Sequence, residues 1–359
     1  MQTQSKYRLL VVRFGAMGDI LHALPALTAL RKAHPTWVID WVVEPKWRAL
    51  LVPEGSAGRD TGETAPRQPI VDSLHLAPMK AWGAKPLSAQ TRREFAALRR
   101  SLRASQYDAV LDFQGAVRSA VVARFAGSRR VIGEEVPRER AARWLFTERV
   151  PTEGAHVIEQ DIEVAAAVAG DALEFMLPWL PVDPTAERWA AGLLVGDEDR
   201  PIILINPGAG WGAKRWPLER YAAVAGEFVR RGWRVVVNAG PGEEELSETI
   251  VRATNGAAIA LNSSLENLIA VTRRISLLIA GDTGPLHLAC ALGKPVVGIY
   301  GPTDPSRNGP FGTHFKVLRH PESRRDHTRH ERPEAGLLTI QTEDVVRAAE
   351  ELLYSEAAQ

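Results

Sequence analysis

Four short stretches of this chain carry side chains whose types and spacing suit chemistry on an anionic substrate. The first is Phe14-Gly15-Ala16-Met17-Gly18-Asp19-Ile20, which follows an apolar run and opens a helical pattern. Gly15 and Gly18 leave room for a ligand beside the backbone. Asp19 has two readings here. It can cap the helix N-terminus, or it can serve as a general base at the mouth of a cleft. The second stretch runs from Asn206 to Pro217 and holds Gly208, Gly210 and Gly212 beside Lys214 and Arg215. Glycine amides and two cations suit a diphosphate. A Walker A ending is absent. The third, Ala239-Gly240-Pro241-Gly242-Glu243, places a carboxylate after a strand end. It could bind ribose hydroxyls or favour a helix start. The fourth, Gly281-Asp282-Thr283-Gly284-Pro285-Leu286-His287, reads as strand, turn and helix. The amides of Thr283 and Gly284 would face an anion, which the helix dipole favours. His287 lies one turn into that helix and has a plain packing role as its other reading.

These loops need a scaffold that presents strand ends side by side. Apolar, β-branched runs predict strands over 7–14, 38–43, 71–76, 107–113 and 130–133, with helices over 20–34, 89–104, 117–126 and 157–169 between them. Nearly continuous apolar strands alternating with helices imply parallel sheets covered on both faces. The pattern breaks over 177–200, where three prolines and the acidic run Asp197–Asp199 mark a boundary. A second series of strands follows at 201–206, 234–239, 257–260, 276–280 and 295–300. The fold expected is α/β, with two Rossmann-like domains and a central cleft. Residues 1–180 form the first domain and 181–340 the second, and 341–359 add a C-terminal helix. Ligands bind beyond the carboxyl ends of such strands.

The chain has 359 residues, too many for one core. No apolar run is long enough for a membrane span. The single cysteine, Cys290, excludes an internal disulfide and fits a cytoplasmic setting. A net charge of +1 conceals a split. Residues 1–150 hold 24 Lys and Arg against 14 Asp and Glu, an excess of +10, which leaves −9 for the remainder. The basic half is expected to meet an anionic partner. Residues 319–334 contain His320, His327 and His330 without ordinary ligand spacing, and read as a solvated loop. No metal site is expected.

The four loops in this order resemble the ADP-heptose:lipopolysaccharide heptosyltransferases, glycosyltransferase family 9. The likeness is strongest at RFGAMGDILHALPAL (13–27) and DTGPLHLACALGKPVVGIYGPTDPSRNGPFG (282–312), and extends to YDAVLDFQG (107–115), KRWP (214–217) and GPGEEE (240–245). WVVEPKW (41–47), with Lys80, Trp82 and Arg92, is similar to the heptosyltransferase I type. The segment 53–69 and the Arg/His-rich tail segment depart from it.

That resemblance implies a GT-B fold and inverting transfer of L-glycero-D-manno-heptose from ADP-heptose to Kdo2-lipid A, with no cofactor. It assigns Asp19 as the base and Lys214 to the leaving diphosphate. Glu243 would hold the ribose, Asp282 the heptose, and Thr283 and Gly284 the phosphates. His287 would lie nearby, and Met17 and Gly18 would line the cleft. Lys80, Arg92, Arg93 and Arg118 are the candidates for holding the acceptor. The partners expected are ADP-heptose, Kdo2-lipid A and the anionic inner membrane surface, with no nucleic acid. The enzyme would be cytoplasmic and peripheral on the inner face of that membrane. Three rivals differ in outcome. A type II enzyme would prefer an acceptor already bearing a heptose. A sugar-nucleotide epimerase or hydrolase would consume donor alone. A binding module would release no product. A dehydrogenase fits least, because the dinucleotide fingerprint is incomplete.

Overall fold

The computed structural model describes residues 6–53, 70–196, 200–326 and 331–356. The chain divides into two compact units, Met1–Val182 and Asp183–Gln359. Unit 1 contains β1 (Arg8–Val12), α1 (Met17–Ala33), β2 (Val38–Val43), β3 (Ser73–Leu76), α2 (Met79–Ala84), α3 (Ala89–Ala104), β4 (Ala109–Asp112), α4 (Val117–Phe125), β5 (Arg130–Glu134), β6 (Glu148–Val150) and α5 (Val157–Ala169). Its sheet is wholly parallel, in the order β3-β2-β1-β4-β5-β6. The strand order therefore reverses between β1 and β4, the crevice where doubly wound sheets bind ligands.

Unit 2 repeats the plan. It contains α6 (Pro184–Leu193), β7 (Ile202–Asn206), α7 (Leu218–Arg230), β8 (Arg234–Asn238), α8 (Glu244–Ala253), β9 (Ile259–Leu261), α9 (Leu265–Thr272), β10 (Leu277–Gly281), α10 (Gly284–Ala291), β11 (Val296–Tyr300), α11 (Pro305–Asn308), β12 (Phe315–Arg319) and α12 (Thr342–Glu356). The order β12-β11-β10-β7-β8-β9 places its reversal between β7 and β10. α12 packs on α7, β11 and β12 within this unit.

The strands form where the sequence is continuously apolar because both faces are covered. β10, LLIAG, is buried at every residue. In unit 2 the core gathers Ile203, Ile205, Phe228, Val237, Ile279 and Val297. Phe228→Ala there would cost about 3–5 kcal/mol. Helix ends follow local chemistry. His156 Nδ1 accepts from Ile158 N at 3.2 Å and starts α5, and Gly170 ends it at φ 81°. Asp183 Oδ1 accepts from Thr185 N and Ala186 N, with Pro184 following, and starts α6.

Elements outside the sequence expectations include α2, β6, α9, α11 and β12. β6 and β12 are edge strands with half-exposed or exposed residues, so neither has an apolar run to betray it. The segment 319–334, expected as a solvated loop, is partly fixed. Arg319 ends β12 and donates Nε to Gly301 O at 3.1 Å. The Glu334 carboxylate accepts from Ser323 Oγ at 3.0 Å and Leu337 N at 2.9 Å. His327 and His330 lie outside the described residues, as do Asp197–Asp199 and 54–69.

Candidate functional site

Two groups of side chains form at the two reversal points, one in each unit. In unit 1, α1 begins directly after the β1 loop, and Asp19 is its third residue. Asp19 Oδ2 accepts from Ala16 N at 2.9 Å, so the capping role is real. Asp19 Oδ1 meets Arg13 Nη2 at 3.3 Å. Both oxygens retain unused lone pairs. The Asp19 side chain remains 36% exposed while that of Arg13 is 8% exposed, so the carboxylate can be reached and its counter-ion cannot. Met17 is buried and Gly18 half-buried in the same first turn.

Beneath this pair lies a set of buried acids that sequence reasoning did not single out. Asp161, on α5, is pushed up to about 7 by burial, against the pull of Arg13 and with repulsion from Glu134 and Asp19 adding to it. Burial likewise raises Asp112 to about 6, opposed by hydrogen bonds from Ser119, Gly115 and Gln114. Arg13 Nε, Asp112 Oδ2 and Asp161 Oδ2 have no hydrogen-bond partner among the described residues. A signal for Asp161 was present. It stands on the apolar face of α5 with Ile158, Ile162 and Ala165, at a spacing that commits it to the interior.

The acceptor candidates are spread over three elements of unit 1. Lys80 lies on α2, Arg92 and Arg93 on α3, and Arg118 in the first turn of α4. All four are exposed. The backbone amide of Lys80 donates to Glu44 Oε1 at 2.8 Å, which ties α2 to the end of β2.

Unit 2 brings Lys214, Asp282 and His287 together. Lys214 follows β7, and Asp282 and His287 follow β10, so the reversal of strand order makes them neighbours. Lys214 Nζ pairs with Asp282 Oδ2 and lies 4.1 Å from the centre of the Trp211 ring. His287 Nε2 is 3.3 Å from Asp282 Oδ1. Burial alone would raise the Asp282 carboxyl, but the His287 hydrogen bond and the Lys214 ammonium outweigh it and hold it well below the usual range. The side chains of Lys214 and Asp282 are 10% and 11% exposed. A fixed, dry ammonium is a strong electrostatic partner for an incoming anion.

The loop ends next to them complete the surface. Thr283 is the N-cap of α10 but makes no side-chain cap bond; its Oγ1 donates to Gly281 O at 3.2 Å. Its extended backbone leaves the Thr283 and Gly284 amides at the helix N-terminus. Asn238 Nδ2 donates to Asn206 Oδ1 at 2.6 Å and fastens the ends of β7 and β8. Glu243 is the N-cap of α8, yet its side chain caps nothing. Its carboxylate instead lies against the glycine loop. A Cβ on Gly208 would come within 2.3 Å of Glu243 Oε2, so a larger residue there would displace the carboxylate from this position. Burial raises the Glu243 pKa, opposed by Arg215. A half-buried carboxylate that serves no cap is suited to sugar hydroxyls.

Residues 95–337 match the family model described as "Glycosyltransferase family 9 (heptosyltransferase)". The chain belongs to that family. It is therefore a glycosyltransferase. It is 30% identical to lipopolysaccharide heptosyltransferase 1 of Escherichia coli K12, over 88% of this chain and 94% of that one. It is 29% identical to the Pseudomonas aeruginosa protein of the same name, over 85% of this chain and 81% of that one. Among solved structures, the E. coli heptosyltransferase WaaC with ADP matches with a TM-score of 0.78 and 26% identity, covering 96% of this chain and 99% of that one. These findings bear out the resemblance and the expected α/β class with two Rossmann-like halves. No helix among the described residues is long and apolar enough to cross a membrane.

Proposed function

We propose that this family 9 enzyme moves L-glycero-D-manno-heptose from ADP-heptose to Kdo2-lipid A, in lipopolysaccharide inner-core biosynthesis, with inversion and without a metal. The observation that carries the reading is the pairing of Lys214 with Asp282 and His287 at the β7/β10 reversal, with Glu243 on the adjoining loop. The names of the relatives favour heptose and the first transfer over later ones.

Unit 2 would hold the donor and unit 1 the acceptor. Lys214 and the Thr283 and Gly284 amides would meet the diphosphate, Glu243 the ribose, and Asp282, His287, Met17 and Gly18 the region around the sugar. In the transfer step the acceptor hydroxyl attacks the anomeric carbon of heptose. Its proton passes to Asp19 as the new carbon–oxygen bond forms. The bond from the anomeric carbon to the phosphate oxygen breaks on the opposite face, and ADP departs with the electron pair. Negative charge grows on the departing oxygen, so an ammonium and helix amides already in place stabilise the transition state more than the ground state. Asp282 orients Lys214 for this. Lys80, Arg92, Arg93 and Arg118 would hold the anionic acceptor, and the excess of +10 in residues 1–150 would keep the enzyme near the anionic inner leaflet.

ADP release tests this. With ADP-heptose in EDTA, Kdo2-lipid A should support turnover, and an acceptor that already bears the heptose should not. Preference for the heptosylated acceptor would make the enzyme a type II transferase. Donor consumption without any acceptor would make it an epimerase or hydrolase.

A further inference from the structure

The charged stretch after β12 lies against the turn that carries Lys214, and both belong to unit 2. The turn, Gly212–Lys214, is one short 3-10 element that follows β7. Its own bonds are local. Lys214 N donates to Trp211 O at 3.1 Å, and Arg215 N donates to Gly212 O at 2.9 Å. They give the turn its shape, but its place in the unit depends on bonds from outside it. Some of these come from the stretch after β12. Glu334 N donates to Ala213 O at 3.2 Å. A Cβ on Gly212 would overlap the Glu331 carbonyl oxygen, so the two backbones are in contact there. Just beyond the turn, Trp216 Nε1 donates to Ile340 O at 3.1 Å.

The described parts of this stretch, 320–326 and 331–337, are each anchored. Arg319 Nε donates to Gly301 O at 3.1 Å, and Asp326 N donates to Pro302 O at 3.0 Å, which seats the first part on the residues after β11. The second part ends at Leu337, whose side chain is fully buried in the core of unit 2. One carboxylate joins the two. Glu334 Oε2 accepts from Ser323 Oγ at 3.0 Å and from Leu337 N at 2.9 Å. Ser323 is buried while its neighbours Glu322 and Arg324 are exposed, so its hydroxyl is turned inward to meet that oxygen. Glu334 thus holds the Lys214 turn through its amide and holds the stretch together through its carboxylate.

A lysine ammonium sits on a flexible four-carbon stem and has no fixed direction of its own. Asp282 gives Lys214 a partner, but the backbone decides where the stem begins. A group that must meet developing charge loses much of its effect when displaced by about 1 Å. We infer that Glu334 is a positioning residue for Lys214, and that with Ser323 it clamps the stretch after β12 onto the glycine-rich turn and so fixes the place of the ammonium. A plain cap is the competing role, since Leu337 N opens the 3-10 turn Leu337–Thr339. A cap would stabilise that turn and leave Lys214 where it is. For its effect on ADP, the inference rests on the reading that Lys214 meets the diphosphate. For the place of the ammonium it does not.

The Lys214 ammonium lies 4.1 Å from the centre of the Trp211 ring, so the Trp211 indole N–H resonance reports its place without any ligand. Spectra of the full chain with isotope-labelled tryptophan, assigned through Trp211→Phe, test the inference. Lys214→Ala should move that resonance. Glu334→Ala should move it in the same direction and leave those of Trp41 and Trp82 in unit 1 unmoved. Glu334→Gln keeps an oxygen for both donors and should match wild type. Ser323→Ala removes one donor, should shift Trp211 less, and carries the test if Glu334→Ala does not fold. In calorimetry with ADP, Glu334→Ala should bind about tenfold more weakly, the scale of one charge-assisted hydrogen bond. It should add no further loss to Lys214→Ala, because the two changes remove one interaction. A Trp211 resonance unmoved by Glu334→Ala and Ser323→Ala overturns the inference, and a lowered Tm beside it makes Glu334 a cap. A loss of ADP affinity that persists in full when Lys214 is already alanine also overturns it, since Glu334 then acts elsewhere. If Lys214→Ala binds ADP as wild type does while Glu334→Ala still shifts Trp211, the diphosphate reading fails and the positioning role stands.

Discussion

The two units share one strand order and place a carboxylate beside a cation at the same topological point, yet the pairs differ in which partner stays open. In unit 1 the cation is buried and the acid is open: the Arg13 side chain is 8% exposed and that of Asp19 36%. In unit 2 both partners are dry, and the acid is held from two sides, by Lys214 and His287. An open carboxylate can take a proton from an incoming hydroxyl. A closed one cannot, but it can fix the direction of an ammonium. On the proposed reading, one fold would supply a base in its first copy and an electrostatic clamp in its second. The difference lies in the loop after the first strand of each sheet. That loop ends in a helix whose third residue is Asp19 in unit 1, and in a glycine-rich turn reaching Lys214 in unit 2.

Substitutions at each pair separate the two roles. After loss of the base itself, the largest effect is expected at the clamp. Lys214→Ala should lower kcat by about 10²–10³, the scale of one electrostatic donor aimed at developing charge. A variant that loses only donor affinity would reduce Lys214 to a binding residue. Next is Glu243→Ala, which should weaken donor binding by about 1–3 kcal/mol through a lost charged hydrogen bond. An unchanged donor Kd in calorimetry would leave Glu243 as a helix-start residue.

The buried acids under Asp19 make a separate prediction about stability. Burial pushes Asp161 up to about 7 in the folded state from its ordinary 3.8, so between those values the folded state binds more protons than the unfolded one. Stability should then fall as pH rises through that window. Asp161→Asn should flatten the fall and melt higher than wild type at pH 8. A parallel pH dependence of Tm in the two proteins would mean that Asp161 is ionised and compensated by Arg13. The smallest effect concerns the charge split. Raising salt should increase acceptor KM more than donor KM, because the acceptor would meet exposed cations that are screened over about 8–10 Å. Equal sensitivity would make the +10 and −9 of the two parts mere surface composition.

Much of the scaffold could be read from residues alone, for a physical reason. Strands buried on both faces must be apolar throughout, so β1, β2, β4, β7, β8, β10 and β11 announce themselves. Of the edge strands, β6 and β12 do not, because charged, exposed residues interrupt them and leave no apolar run. Helix α3 was legible from its amphipathic spacing, and the structure adds a cap in which Ser88 Oγ accepts from Thr91 N. The site was legible as separate loops, but not as contacts. Lys214 and Asp282 are 68 positions apart, and only the β7–β10 pairing makes them partners. The double role of Asp19 was visible as a choice between cap and base. The structure shows the cap bond on one oxygen and the arginine on the other, so the choice was never exclusive. Arg13 escaped notice because an arginine ending an apolar strand looks like a surface charge until α1 and α5 close over it.

The division of labour between the units is tested most directly by measuring ADP-heptose affinity and turnover on the same Asp19→Ala protein. The calorimetric donor Kd should stay within about twofold of wild type and kcat should fall by about 10²–10⁴, the range supplied by one positioned base. A variant retaining more than about a tenth of wild-type kcat would contradict it, since a helix cap alone contributes to stability rather than to proton transfer.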